Sequence, residues 1–239
     1  MTGLHCIFVP QGAEFKAVQR GLKGNPKVLV YPIPMGPMPV EAYLQQWCQT
    51  SLPKFDAPPS VVLMGLCGGL ISNLQVGDWV LYRNCIDARP LASVPPPSAC
   101  SLACSKAVFK TVQERLGNSV TIVTAAMCDR LVHRAADKQA LALRCQAEAV
   151  DMEGYAFLAA LQGTGIEVGM VRVVSDDAQH DIPDLSTAMT ANGTLDPLAL
   201  TACFVRSPLQ AARLIRGSLR GLKQLERVTG ALFNSTESY

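Results

Sequence analysis

The chain has 239 residues, of which 49% are hydrophobic and 17% are charged, enough for one α/β domain with a large core. The formal net charge is +2, and the 21 basic and 19 acidic residues are scattered, so no electrostatic footprint for nucleic acid or anionic lipid stands out. No apolar run approaches the ~18 residues that span a bilayer, and the amino terminus lacks a signal-type segment. We expect a soluble, cytoplasmic protein, without membrane insertion, whose partners are small molecules.

Short β-rich runs alternate with helical patterns along the chain. The predicted strands cover residues 4–10, 27–32, 60–65, 78–83, 119–125, 148–152 and 165–175. The predicted helices cover residues 15–22, 40–51, 102–116, 133–147 and 153–161. This alternation predicts one α/β domain over residues 1–239, with a largely parallel or mixed central sheet flanked by helices.

Three further segments complete the organisation of the chain. Residues 32–39, which include four prolines, and the proline run 95–97 are predicted to be surface loops. The turn-rich segment 178–197 is either a mobile flap over a pocket or an ordinary surface loop. Residues 207–232 predict a closing helix that packs through apolar residues at helical spacing. These apolar residues are Leu209, Ala212, Ile215, Leu219, Leu222 and Leu225.

The nine cysteines lie mostly in apolar runs without paired CxxC spacing, which favours reduced, buried thiols. Cys67 is a conceivable nucleophile, but no motif ties any of the three histidines to it, so a buried filler is favoured. No cluster of histidine, cysteine or carboxylate has the spacing of metal ligands. We expect neither a metal nor an organic cofactor.

The segments with the clearest chemistry end two predicted strands. Residues 149–154 read Ala-Val-Asp-Met-Glu-Gly, and residues 171–177 read Val-Arg-Val-Val-Ser-Asp-Asp. The side chains of Glu153 and Asp176 therefore follow different strands, an arrangement that brings an acid and a ligand clamp into one crevice of an α/β sheet. A third segment, the glycine-rich turn 65–70, allows the backbone to approach a ligand or simply forms a tight turn.

In order and spacing, these blocks resemble the nucleoside phosphorylase and nucleosidase superfamily, which includes purine nucleoside phosphorylase and 5′-methylthioadenosine/S-adenosylhomocysteine nucleosidase. The likeness covers most of the chain, and Glu153 and Asp176 are 23 residues apart, as in the nucleosidases. The tail from Asn192 to Leu200, with Arg206 to Pro208, resembles the hopanoid-associated subgroup. The resemblance implies a three-layer α/β/α domain with a mixed central sheet, and a homodimer.

For the leaving base, the resemblance implies an acid. Breaking a purine N-glycosidic bond places negative charge on the base, and in the resembling enzymes the aspartate at the position of Asp176 donates a proton to N7. The alternative role of Asp176 is to cap the turn that follows. Substrate-binding positions carried over from the family include Ser175, Cys67 and Gly68.

For the sugar and the nucleophile, the resemblance implies three further residues. Glu153 accepts hydrogen bonds from ribose hydroxyls while Met152 packs on the sugar, although a glutamate is also favourable at a helix amino terminus. Glu14 orients the attacking water. Arg172 lies near the water and the sugar, or else pairs with a neighbouring carboxylate.

Water is favoured over phosphate as the nucleophile. Phosphorolysis needs guanidinium and backbone donors, and phosphorylases of this superfamily place an arginine where this chain has Leu63. The carboxylate of Glu14 would repel phosphate. Two departures from the family, Leu66 in the glycine turn and the altered loop 35–39, leave a catalytically silent nucleoside-binding protein as an alternative.

The sequence thus predicts hydrolysis of the N-glycosidic bond of a purine nucleoside, of adenosine type and possibly 5′-substituted. Phosphorolysis and silent binding are the competing functions. Met127 and Cys128, which follow the strand 119–125, are nominated as walls of the base pocket, with core packing as the equal alternative.

Overall fold

A computed structural model describes residues 4–89, 101–188 and 196–234. Within these ranges the chain forms eight strands and seven α-helices. The strands are β1 (Cys6–Pro10), β2 (Leu29–Ile33), β3 (Ser60–Gly69), β4 (Trp79–Asp87), β5 (Ser101–Ala103), β6 (Val120–Met127), β7 (Ala149–Asp151) and β8 (Glu167–Asp176). The helices are α1 (Ala13–Leu22), α2 (Pro37–Thr50), α3 (Lys106–Leu116), α4 (Ala135–Cys145), α5 (Gly154–Leu161), α6 (Pro197–Arg206) and α7 (Pro208–Phe233).

The strands form one mixed sheet. Its order is β2-β1-β3-β7-β6-β4-β5, while β8 pairs in parallel with β3 and antiparallel with β4. Strands β3, β7, β6, β4 and β8 therefore close a ring of pairings, and β2 and β1 extend the sheet from β3. The parallel pairing of β3 with β8 brings the glycine-rich end of β3 beside the end of β8, with Gly68 opposite Asp176.

Helices cover both faces of this sheet, because side chains alternate along the buried strands. On β1, Phe8 packs into the core with α2 and α5, whereas Ile7 and Val9 pack into the core with α1, α3 and α7. A third core lies beneath α4, around Leu141 and Cys145. The expected three-layer α/β/α fold with a mixed central sheet is confirmed.

Several predicted boundaries are wrong. The proline-rich segment 32–39 is not a loop throughout, because β2 ends at Ile33 and α2 begins at Pro37, where proline suits the first helical turn. Residues 101–103 form β5 rather than the start of a helix, and α6 was not predicted. The proline run 95–97 and the tail residues 192–195 lie outside the described residues.

The closing helix exists, but its packing face was predicted wrongly. Its buried residues are Ala211, Gly217, Gly221, Leu225, Val228, Thr229, Leu232 and Phe233. Of the residues expected to pack, Leu209, Ile215 and Leu219 are instead exposed, by 82%, 45% and 63%. No helix of the described residues is long and apolar enough to cross a membrane.

Candidate active site

The candidate site lies where β1, β3, β7 and β8 end or meet. Arg172 and Asp176 are four residues apart on β8, and the register of β8 against β3 shifts between them. Arg172 pairs with Gly65 across the parallel β3, and Asp176 pairs with Gly68. The site therefore has two ends, an Arg172 end and an Asp176 end.

At the Arg172 end, one guanidinium holds two acidic side chains. Arg172 is fully buried, and its Nη2 lies 2.9 Å from Oδ2 of Asp151 and 3.2 Å from Oε2 of Glu153. Burial opposes the charged form of Arg172, but these carboxylates outweigh it and raise the pKa of the guanidinium. Arg172 thus pairs with neighbouring carboxylates, and its place near the water and the sugar stays a prediction.

Glu153 is held from two sides. Its Oε1 accepts a hydrogen bond of 3.0 Å from the backbone N–H of Gly36, and its Oε2 accepts one from Arg172. Burial raises the pKa of Glu153, while Arg172 opposes the shift and the like charge of Asp151 adds to it. Gly36 has a φ of 89° at the start of α2, a conformation that glycine adopts without strain. The loop 34–36 therefore helps to fix the glutamate despite its departure from the family pattern.

Glu14 reaches the same end from the first turn of α1. Its Oε1 accepts a hydrogen bond of 2.7 Å from the backbone N–H of Leu66. A side chain at Gly65 would collide with Nη1 of Arg172 and lie 2.7 Å from Oε1 of Glu14, so glycine leaves the room in which these two groups approach. Neither Nη1 nor Nε of Arg172 has a hydrogen-bond partner among the described residues.

Burial and the neighbouring charges shift the pKa of Glu14. Burial raises the pKa of Glu14 to about 7, the Leu66 N–H and Arg172 oppose the shift, and the nearby carboxylates of Glu153 and Asp151 add to it. A carboxyl group with a pKa near 7 exchanges protons readily at neutral pH.

At the Asp176 end, a buried lysine pairs with the aspartate. Lys138 of α4 is fully buried, and its ammonium group contacts Oδ2 of Asp176 and lies 2.6 Å from the backbone carbonyl of Asp177. The Ser175 hydroxyl lies 2.9 Å from Oδ1 of Asp176 and 3.2 Å from the carbonyl of Cys67. A side chain at Gly68 would lie 2.9 Å from Oδ2 of Asp176, so glycine allows the carboxylate to approach β3 closely.

The other predicted site residues include Met152, Met127 and Cys67, and these are partly or fully buried. Met152 is partly buried between Asp151 and Glu153. Met127 is fully buried in the core, and its sulfur accepts the N–H of Ala156, which agrees with the core-packing alternative. Burial raises the pKa of the Cys67 thiol, as expected for a buried filler rather than a nucleophile.

The segment after Asp177 is anchored where the structure describes it. Asp181 accepts a hydrogen bond of 2.8 Å from the N–H of Ala135 at the start of α4, and the N–H of Ile182 donates to the carbonyl of His133. Ile182 and Leu185 are buried. Residues 181–182 are therefore fixed at the start of α4, the helix that carries Lys138, whereas Leu185 and Ala188 pack with Cys203 of α6.

Sequence reasoning missed Lys138 and Asp151. The signal for Lys138 was present, because Lys138, Leu141 and Cys145 follow helical spacing and form the buried face of α4. A lysine on an apolar stripe requires a buried partner. Asp151 is the last residue of β7, two positions before Glu153, and the quoted motif included it without assigning it a role.

The mixed α/β fold, with candidate site residues at the ends of its strands, is consistent with the family match. The chain belongs to the phosphorylase superfamily, whose family model matches residues 6–202. The family expected from the sequence is thereby confirmed. No curated protein matches the chain by sequence.

Solved structures share the fold at low sequence identity. Futalosine hydrolase of Helicobacter pylori is 14% identical, with 98% of each chain covered and a TM-score of 0.71. 5′-Methylthioadenosine/S-adenosylhomocysteine nucleosidase of the same organism is 14% identical, with 98% of this chain and 97% of that chain covered and a TM-score of 0.69. A putative nucleosidase of this type from Francisella philomiragia is 17% identical, with coverages of 98% and 100% and a TM-score of 0.68.

Proposed function

We propose that this protein is a nucleosidase that hydrolyses the N-glycosidic bond of a purine nucleoside. The observation that carries the proposal is the meeting of Glu14 and Arg172 at Gly65, with Asp176 at the end of β8, the strand that also carries Arg172. Membership of the phosphorylase superfamily and the fold shared with nucleosidases support it.

Glu14 activates water in this proposal. Its pKa of about 7, raised by burial, leaves a large fraction of the carboxylate free to accept a proton at neutral pH. The unpartnered Nη1 of Arg172 lies beside it and donates a hydrogen bond that orients the water. The water oxygen then bonds to C1′ of the sugar as its proton passes to Glu14.

The carboxylates at the Arg172 end stabilise the sugar as it becomes cationic. Arg172 is surrounded by Asp151, Glu153 and Glu14, so this end of the site carries more negative than positive charge when these groups are ionised. Hydrogen bonds from the ribose hydroxyls to Glu153 strengthen as positive charge develops. This stabilisation acts on the transition state more than on the neutral substrate.

Asp176 serves the leaving base. The bond between C1′ and N9 breaks with its electron pair on the base, which Asp176 neutralises by delivering a proton to N7. The ammonium group of Lys138 contacts Oδ2 of Asp176 and is the proton source for this delivery. Ser175 fixes the orientation of the carboxylate through Oδ1.

The same charges disfavour phosphorolysis. A phosphate entering at Gly65 would face the carboxylates of Glu14 and Glu153, and Leu63, at the family's arginine position, is fully buried in the core. The departure at Leu66 does not block the site, because its side chain packs towards Gly221 of α7 while its N–H binds Glu14. We propose an adenosine-type substrate, with or without a 5′ substituent, and a homodimer.

The test is release of free base from adenosine, 5′-methylthioadenosine and inosine, each with and without phosphate. Hydrolysis predicts equal release in both conditions and free ribose or a free 5′-substituted ribose as the second product. Release only with phosphate would identify a phosphorylase. Binding of a nucleoside, measured by calorimetry, without any release would identify a silent binding protein.

A further inference from the structure

Helices α6 and α7 present large apolar side chains to the outside of the protein. Leu198 and Val205 of α6 are 84% and 75% exposed, and Leu209 at the start of α7 is 82% exposed. Ile215 and Leu219 continue the series along α7. Five of the eight exposed large apolar residues in the described parts of the chain thus fall within residues 198–219, on two consecutive helices.

The packing of α7 prevents its exposed apolar residues from turning inwards. A side chain at Gly217 would collide with the carbonyl of Ser175, and one at Gly221 would lie 2.9 Å from Cδ2 of Leu66. The helix is therefore seated closely on β3 and β8 through its glycine face. Ala212, Ile215 and Leu219 recur at spacings of three and four residues and form a second, outward apolar row.

A row of cations borders the apolar row. Arg213, Arg216, Arg220 and Lys223 recur at spacings of three, four and three residues, and all are exposed. Between Asp196 and Glu226 the sequence contains five basic residues, the fifth being Arg206, and no acidic residue. Because the whole chain has a net charge of only +2, the remainder of the protein is net acidic.

We propose that the outward face of α6 and α7 docks the protein on an anionic lipid bilayer. An apolar row that enters the headgroup boundary, beside a basic row that binds anionic headgroups, is the arrangement of an interfacial amphipathic helix. Docking needs no membrane-spanning helix, and it is independent of the proposed reaction.

The charge on this face favours a membrane over a second copy of the chain. A symmetric dimer through α7 places the same face on both subunits, so the cations of one row would oppose those of the other. An anionic bilayer complements the same row. Phosphates of a nucleic acid would neutralise the cations but would leave the leucine and isoleucine side chains against polar backbone.

The experiment is flotation of the purified full-length protein with vesicles of phosphatidylcholine, alone or mixed equally with phosphatidylglycerol. We expect binding to the anionic vesicles at about 50 mM salt, weak binding to neutral vesicles, and release from anionic vesicles at about 500 mM salt. Arg216→Gln with Lys223→Gln lowers the partition coefficient roughly 20-fold. Ile215→Gln with Leu219→Gln lowers it at least about ten-fold.

Matched controls separate this face from general surface effects. Lys106→Gln with Lys110→Gln removes two exposed cations from α3, and Leu143→Gln removes an 83% exposed leucine from α4. Both controls should float like the parent protein, and circular dichroism verifies that every variant is folded. Nucleosidase activity on a water-soluble substrate should be unchanged in the α7 variants, so failure of docking and failure of the proposed function are distinguishable.

Three outcomes would overturn the proposal. The first is no flotation with anionic vesicles at low salt, and the second is flotation that the α7 variants and the controls lose equally. The third is a change from dimer to monomer, measured by light scattering, in the Ile215→Gln and Leu219→Gln variant, which would make the face a protein interface.

Discussion

The two ends of the candidate site use buried charge in opposite ways. At one end the single guanidinium of Arg172 faces Asp151, Glu153 and Glu14, so acidic groups outnumber the cation. At the other end Lys138 and Asp176 form a one-to-one pair. The first arrangement suits a substrate that becomes positive, and the second suits storage and delivery of one proton.

This difference also explains where a buried carboxyl group becomes a base. Glu14 lacks a full countercharge of its own, because Arg172 is shared with Asp151 and Glu153, and burial raises its pKa to about 7. Asp176 has the whole ammonium group of Lys138 as its partner. Burial, together with the sharing of one cation among three carboxylates, thus accounts for the raised pKa of Glu14.

The largest expected loss of activity follows from substitution of the proposed acid, Asp176. Asp176→Asn keeps the shape but cannot relay a proton from Lys138 to the base, so we expect kcat to fall by up to about 10⁴-fold with little change in KM. Steady-state base release measures this. Asp177→Asn is the matched control, because only the backbone carbonyl of Asp177 contacts Lys138. Full activity in Asp176→Asn would refute the acid assignment.

Substitution of the proposed base, Glu14, should lower activity at the Arg172 end of the site. Glu14→Gln still accepts the Leu66 N–H but cannot take a proton from water, so we expect kcat to fall about 10²–10³-fold at about pH 8. In the parent enzyme, kcat/KM should fall as pH drops through about 7, because protonation removes the base. A profile without this acidic limb would contradict the role of Glu14.

Replacing Lys138 should make the loss of kcat depend on pH. In Lys138→Met the acid is loaded only from solvent, and we expect a loss in kcat at about pH 9 that is roughly 10–100-fold greater than at about pH 6. Lys110→Met, an exposed substitution on α3, serves as the control. A loss of equal size at every pH would show that Lys138 acts only on the structure.

The smallest expected effect concerns stability. The pKa of Glu14 is higher in the folded protein than the ordinary value of 4.5, so its ionisation costs folding free energy above about pH 7 and nothing below the ordinary value. Glu14→Gln should therefore raise the free energy of unfolding by about 1–3 kcal/mol at about pH 8, with the gain vanishing in acid. Urea unfolding at both pH values measures it, and destabilisation at pH 8 would contradict it.

The alternation of apolar runs predicted most of the sheet and helices, because buried side chains recur with a different period in strands and in helices. It failed where the local pattern was ambiguous. Prolines at positions 37 and 39 indicated a loop but begin α2, and the short strand β5 was absorbed into a predicted helix. For α7 the spacing of leucines was recognised, yet two apolar rows exist and the glycine face is the one that packs.

The sequence motifs located Glu14, Glu153, Arg172 and Asp176, and the structure brings the first three together around Gly65. Lys138 escaped prediction because its partner, Asp176, is 38 residues away along the chain and comes into contact only when α4 packs on the sheet. The ring closed by β8 was equally invisible, since both of its strand partners are distant in sequence.

The amino-acid sequence by itself determined the α/β architecture and the family, and it predicted candidate acid and base residues, because periodicity and short motifs are local properties. Tertiary structure alone decided which carboxylates pair with Arg172, which one pairs with Lys138, and which face of α7 is exposed to water. Those outcomes depend on electrostatics and packing between distant segments, where a proton affinity or an exposed face is set by neighbours that the chain order does not reveal.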